Sequence, residues 1–271
     1  HDIQSFQNRI YIYFYNLRFY TYSCTTTYGT LLSITYLDKI FNFLDISDVN
    51  IENSICMHYI NKEIPMISGA QYLVKALQEE QVEFLFNYPG AATIDIMDEL
   101  YKQDKVKVIL PRHEQALAHA ADGYARSTGK VGVCMVTSGP GATNLVTGIA
   151  TAYSDSVPLV CITGQVDLGL MGNDAFQEVD TVGIVRNVCK YAVTVRDRKD
   201  LGRILKEAFY IARTGRPGPV VVDIPKNIQK AMGSDEYPTE VNIRGYKPNT
   251  TVHVGQFKKA CSIISKAKRP L

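Results

Sequence analysis

Val131-Gly132-Val133-Cys134-Met135-Val136-Thr137-Ser138-Gly139-Pro140-Gly141-Ala142-Thr143-Asn144 is the stretch on which the fold turns. Residues 131–136 are apolar without alternation, and the run is too short for a helix of ordinary length. A strand of that kind is buried on both faces, which is the habit of parallel sheets covered by helices. The glycine-rich turn that follows leads into a predicted helix over 141–153. Reading outward, the pattern repeats in both directions. Upstream stand a helix over 69–81 capped by Ser68, a strand over 83–86, the turn Tyr88-Pro89-Gly90, a helix over 92–101, a strand over 106–110 and a helix over 114–128 closed by Gly129. Downstream come a strand over 159–163, a turn at Gly164-Gln165-Val166, a looser stretch over 167–178, a short helix over 180–187, a strand over 192–195, a helix over 200–213 and a strand over 220–224. Strands and helices in alternation predict an α/β fold: a doubly wound parallel sheet with helices on both faces and right-handed crossovers. Ligands of such sheets bind at the carboxyl ends of the strands. The turns at 88–90, 111–114, 137–141 and 164–166 all fall on that edge.

The totals narrow the field. The chain has 271 residues and a formal net charge of +2, which argues against a nucleic-acid or membrane partner. No run is long and apolar enough to span a bilayer. The six cysteines include no C-x-x-C pair, and Cys134 and Cys161 sit within apolar strands, so buried free thiols are expected rather than disulfides or a zinc site. That usage fits a reducing compartment, and a cytoplasmic location is expected. Residues 1–65 are unlike the rest: dense in Tyr, Phe, Ile and Asn, with Gly29 and Pro65 as their only glycine and proline. They lack the features of a secretory signal and carry too many acids for a transit peptide. They read as sequence from upstream of a natural start at Met57 or Met66, or as a poorly ordered extension. Residues 66–228 form the predicted domain. Residues 229–251 are polar, with Gly233, Pro238, Gly245 and Pro248, and read as a linker. A helix within 252–271 reads as the start of a further domain.

Several residues invite a functional reading beside a structural one. Glu114 opens a helix, where the helix dipole alone favours an acid. The same helix carries Ala116, Ala118, Ala120, Ala121 and Gly123, small groups that let something pack very close. The Gly139 and Gly141 turn suggests a dinucleotide loop only weakly, because Asn144 stands where a third glycine belongs and Pro140 lacks an N–H. A tight turn against a flat ring is the better reading. Phe176 and Gln177 fit loop packing as well as function, Lys226 fits a solvated charge, and Arg216 fits a cap on the helix over 200–213.

Arg112-His113-Glu114-Gln115, residues 137–144, Gly164-Gln165-Val166, Asp174-Ala175-Phe176-Gln177-Glu178 and Gly215-Arg216-Pro217-Gly218-Pro219 occur together and in order. With these motifs the chain from about Ile67 onward resembles the N-terminal part of acetolactate synthase (acetohydroxyacid synthase) large subunits, which use thiamine diphosphate (ThDP). The resemblance implies that residues 66–228 are a ThDP pyrimidine-binding domain and that 252–271 begin a central, FAD-binding domain. It implies that Glu114, buried and with a raised pKa, hydrogen-bonds N1′ of the aminopyrimidine and so promotes loss of the thiazolium C2 proton. It places Tyr88, Pro89, Gly90, Thr137, Pro140 and Asn144 around that ring, Phe176 and Gln177 at the substrate, Lys226 at the channel mouth, and Arg216 against FAD. The implied reaction decarboxylates pyruvate and joins the product to a second 2-oxo acid, pyruvate or 2-oxobutyrate. A homodimer or homotetramer, with or without a regulatory small subunit, is implied too. No metal ligand is assigned within this chain; Mg²⁺ and the diphosphate would be held by a C-terminal domain, and the chain alone is expected to be inactive. The chain departs from the family's commoner residues at Ala91, for glycine, which narrows the turn at the pocket by a methyl, and at Asp167 and Asn173, for proline and threonine, on the channel rim. The alternatives are another ThDP-dependent 2-oxo acid decarboxylase or carboligase, or a non-catalytic truncated product.

Overall fold

A computed structural model describes residues 65–269. The atypical segment 1–64 and the last two residues lie outside the described residues. At the centre is a six-stranded sheet formed by β2 (Phe84–Tyr88), β3 (Lys107–Ile109), β4 (Gly132–Val136), β5 (Leu159–Gln165), β6 (Tyr191–Thr194) and β7 (Pro219–Pro225). The spatial order is β3-β2-β4-β5-β7-β6, and every neighbouring pair is parallel. A separate two-stranded ribbon pairs β1 (Met66–Ser68) with β8 (Met232–Ser234) antiparallel.

Side-chain alternation along the strands builds two cores. Val133 and Met135 of β4, Val160 and Ile162 of β5, and Val220 and Val222 of β7 face one side. There they meet Leu73 and Leu77 of α1 (Gly69–Glu79), Ile96 and Leu100 of α2 (Ile94–Tyr101), and Leu205 and Phe209 of α7 (Leu201–Arg213). Cys134, Val136, Leu159, Cys161 and Val221 face the other side. They meet Leu117 and Ala121 of α3 (Glu114–Thr128), Ile149 and Ala152 of α5 (Val146–Asp155), and Val185 of α6 (Thr181–Val185). Helices therefore cover both faces, which is why β4, β5 and β7 are buried at every position. The sheet is doubly wound, as the repeat of strands and helices predicts. Cys134, Cys161 and Cys189 are buried free thiols, and a hydrogen bond with Cys134, together with burial, raises the Cys161 thiol well above its ordinary range.

Three local expectations change. The predicted helix over 141–153 is two helices, α4 (Pro140–Asn144) and α5, separated at Leu145, whose N–H reaches back to the Ala142 carbonyl (3.2 Å). Gly164 and Gln165 are not a turn; they continue β5, paired with Ile224 and Pro225 of β7. A glycine in a strand reads as a break, but here it admits a neighbour: a Cβ at Gly164 would stand 2.7 Å from the Ala92 carbonyl oxygen. Residues 229–251, polar enough to read as a linker, are held to the domain over much of their length. Gln229 lies buried in α8 (Lys226–Lys230), β8 pairs with β1, Tyr237 hydroxyl donates to Glu80 (3.1 Å), and Lys190 donates to the Tyr246 hydroxyl (2.7 Å). The last helix, α9 (Val254–Lys266), has no buried residue among its described neighbours.

Candidate active site

The chain leaves β2 towards β3 on one side and leaves β4 towards β5 on the other, so the direction of winding reverses between the neighbouring strands β2 and β4. A crevice opens at such a switch point, above the carboxyl ends of the two strands. The two loops that border it are Tyr88-Pro89-Gly90, after β2, and Thr137-Ser138-Gly139, after β4.

These loops touch. A Cβ built on Gly90 would lie 2.4 Å from Thr137 Cβ, so only a glycine lets the two strand ends close to this distance. Gly90 has extended backbone (φ −167°), which makes the constraint one of space. Thr137, buried, accepts a hydrogen bond on Oγ1 from the Ala92 amide (3.2 Å). Gly139 has φ +58°, a conformation that favours glycine, and the Gln177 carbonyl lies where its Cβ would be, at 2.6 Å. The loop bearing Phe176 and Gln177 therefore rests directly on the turn after β4. Lys226, at the start of α8, donates to the Ala91 carbonyl (3.0 Å) and ties the end of β7 to the turn after β2.

Glu114 stands at the first position of α3. The cap of that helix comes from His113, whose Nδ1 accepts from the Gln115 amide (3.1 Å). The Glu114 carboxylate is thus spared capping work and reaches across to α4, where its Oε2 accepts from Asn144 Nδ2 (2.9 Å). No other hydrogen bond to the carboxylate is formed among the described residues. Glu114 is half-buried rather than buried as expected, because it sits at the open rim of the sheet with only Asn144 beside its carboxylate.

Tyr88, Pro89, Gly90, Glu114, Thr137, Pro140, Asn144, Gln177 and Lys226 thus gather on the carboxyl edge of the sheet. Phe176 is on the same loop and is 83% exposed. Arg216 is elsewhere. It precedes β7, at the amino edge of the sheet, and donates to Ser156 Oγ (2.8 Å) and to the carbonyls of Tyr153 and Ser154 (3.2 Å each). It caps the end of α5, not of α7. The carboxyl end of α7 is satisfied by Lys190, which donates to the carbonyls of Ile211 (2.5 Å) and Thr214 (2.6 Å).

Residues 67–184 match the family described as thiamine pyrophosphate enzyme, N-terminal TPP binding domain. This segment is such a domain. The chain is 54% identical over 207 residues to the acetolactate synthase large subunit of Haemophilus influenzae, an alignment covering 76% of this chain and 36% of the relative. It is 51% identical over 208 residues to the acetolactate synthase isozyme 3 large subunit of Escherichia coli, again 76% of this chain and 36% of the relative. Identity is 47% over 208 residues with an acetolactate synthase large subunit of Mycobacterium tuberculosis, covering 77% of this chain and 34% of the relative. The chain spans about a third of the length of these relatives.

Three buried polar residues lie behind this TPP-binding domain's open edge: Gln165, which the sequence placed in a turn, and Asp223 and Gln229, which it did not single out. Asp223 had a visible signal, a lone acid inside the apolar run Val220-Val221-Val222-Asp223-Ile224. Gln229 donates to the Ala92 (2.8 Å) and Ile224 (2.9 Å) carbonyls and so supports the turn after β2 from beneath. Its polar surroundings in sequence gave no hint of burial.

Proposed function

We propose that this chain supplies the aminopyrimidine half of a ThDP site in an acetolactate synthase large subunit. That enzyme is a transferase of branched-chain amino acid biosynthesis, joining a two-carbon unit from pyruvate to a second 2-oxo acid, pyruvate or 2-oxobutyrate. The observation that carries the reading is the Glu114–Asn144 pair beside two glycine-bearing loops at the switch point of the sheet.

The residues present suit a flat ring with a protonatable nitrogen. Gly90 and Gly139 stand where a side chain would collide, so backbone forms close walls. One oxygen of Glu114 is held by Asn144, and the other meets no donor among the described residues. When bound, ThDP supplies an electron-accepting thiazolium and an aminopyrimidine that exchanges a proton at its ring nitrogen. Glu114 is the group to hold that proton, and Asn144 fixes the carboxyl's orientation. Tyr88, Pro89, Gly90, Thr137 and Pro140 line the ring. Phe176 and Gln177 border the 2-oxo acids, with Lys226 at the entrance. Arg216, exposed at the opposite edge, is assigned to contact FAD. Mg²⁺, the diphosphate and most of the FAD site are assigned to parts of the longer protein outside this chain.

Exposed Ala116 and Gly123 on α3 leave a surface where another chain can approach closely; nothing lies within 4 Å of a Cβ built on Gly123. That supports a homodimer or homotetramer of the longer protein, with a regulatory small subunit as a further partner. No helix among the described residues is long and apolar enough to cross a membrane. That and the buried free thiols support a cytoplasmic protein.

The experiment compares acetolactate formation from pyruvate, with ThDP, Mg²⁺ and FAD present, by this chain and by a version extended to the relatives' length. Activity in the extended protein and none in this chain is expected. An extended protein that folds, binds ThDP and forms no acetolactate would overturn the assignment in favour of another ThDP-dependent decarboxylase or carboligase.

A further inference from the structure

Asp223 has no part in the site as described, yet it lies 1% exposed in the middle of an apolar strand. Its Oδ1 accepts from Thr163 Oγ1 (2.6 Å), and its Oδ2 accepts from Thr194 Oγ1 (3.2 Å) and Gln165 Nε2 (3.2 Å). Among the described residues no cation pairs with it, and the charged group that faces it is another acid, Asp180, at the start of α6. Burial pushes its carboxyl up to about 6, with the three donors opposing the rise. A buried acid without a cation is an expensive occupant of a strand that valine would suit.

Gln165 shows what the acid holds. This buried side chain ends β5, and its Nε2 donates both to Asp223 and to the Val179 carbonyl (2.9 Å). Its Oε1 accepts from the Val166 amide (3.0 Å). One amide group therefore grips the chain where it leaves the sheet, at Val166, and where it returns, at Val179. Between these points the loop is braced from within: the Glu178 carboxylate accepts from the Gly172 and Ala175 amides. It is also pinned from outside, where Leu168 N–H donates to Asn227 Oδ1 (3.1 Å). At its far end Gln177 rests on Gly139.

We propose that Asp223 is a positioning residue: through Gln165 it clamps the two ends of the loop over residues 166–179 and so fixes Phe176 and Gln177 against the turn after β4. The meaning of that placement for substrate rests on the function proposed above; the clamp itself does not.

The test is amide hydrogen exchange in this chain without any cofactor, so its outcome is independent of the catalytic reading. Asp223→Val removes the acceptor while suiting the strand, and Gln165→Met removes the clamp while leaving Asp223 in place. Both are expected to speed exchange across 166–179 by about tenfold or more, and the double variant to add nothing. Asp223→Asn should restore slow exchange, since its amide oxygen can accept from Gln165 and its NH₂ can donate to Thr163. Amides of α7, which packs on the opposite face of β7, against Val220 and Val222, serve as the reference and should be unchanged. Unaltered loop exchange in Gln165→Met, or loosening of α7 in step with the loop in every variant, would overturn the proposal.

Discussion

Asn144 Nδ2 donates to Glu114 Oε2 at 2.9 Å, across a gap of thirty residues in sequence that the fold closes between the starts of two crossovers. Glu114 opens the helix after β3, and Asn144 ends the short helix after β4. With His113 serving as the helix cap, the acid is free of capping, and the helix dipole is the local reason left for it. Its single described partner is a neutral amide, which orients the carboxyl.

Glu114→Gln should therefore leave the fold intact and remove proton exchange. In the extended protein kcat for acetolactate formation is expected to fall by roughly 10²–10⁴-fold, the range of a general acid–base group. Asn144→Ala should lower kcat less, because the carboxyl remains and only its orientation is freed. Steady-state kinetics beside a thermal melt check both. A Glu114→Gln enzyme within twofold of the parent would remove Glu114 from the mechanism.

Gly90→Ala tests the wall of the crevice. The new Cβ would sit 2.4 Å from Thr137 Cβ and 2.6 Å from Thr137 Oγ1, a β-branched side chain on buried backbone that has little room to yield. Overpacking of this kind costs about 1–3 kcal/mol, and the strand ends must part. Urea denaturation of this chain should show that loss. Gly123→Ala, on an open helix face, should instead be neutral or stabilising by up to about 1 kcal/mol.

The buried strands and the helices between them were legible because unbroken apolar runs and amphipathic helices carry a strong periodic signal. The α3 boundaries at Glu114 and Thr128 match their sequence reading, since Gly129 in the left-handed region (φ +72°) closes the helix. What was not legible depends on distant partners. Gly164 reads as a break until the Ala92 carbonyl is known to lie against it. Arg216 reads as a cap for the nearest helix in sequence, but the free carbonyls within its reach belong to α5. Tyr237 and Tyr246 pin a polar segment through bonds to Glu80 and Lys190, which no local pattern announces. On the site, the motif residues were visible, Gln165 among them but as part of a turn, and the buried Asp223 and Gln229 beneath them were not.

Glu178 should make the loop over residues 166–179 sensitive to acid. Bonds from the Gly172 and Ala175 amides hold its carboxyl below the ordinary carboxylate range. A depressed pKa contributes stability that is fully present above the ordinary value of 4.5 and is lost as pH falls through the lower folded value. Exchange at the Gly172 and Ala175 amides, corrected for intrinsic rates, should accelerate as pH drops below that value. In Glu178→Gln the step should vanish and the loop should be looser at every pH. A step that persists in the glutamine variant would assign the effect to another group.

Asp223 carries the opposite sign. Its folded pKa of about 6 lies above the ordinary 3.8, so between these values the folded chain binds more protons than the unfolded one. Stability must then fall as pH rises from about 4 to about 6 and level off above, by roughly 3 kcal/mol for a rise of that size. Other acids contribute to the total, but they are common to the parent and to Asp223→Asn, which cannot ionise. The difference between their unfolding free energies, taken from urea titrations at a series of pH values, isolates the one carboxyl. Relative to the variant, the parent should lose stability progressively across this interval. A flat difference would mean that the carboxyl titrates in the fold as it does in the unfolded chain, and that its isolation from solvent and from cations leaves it unperturbed.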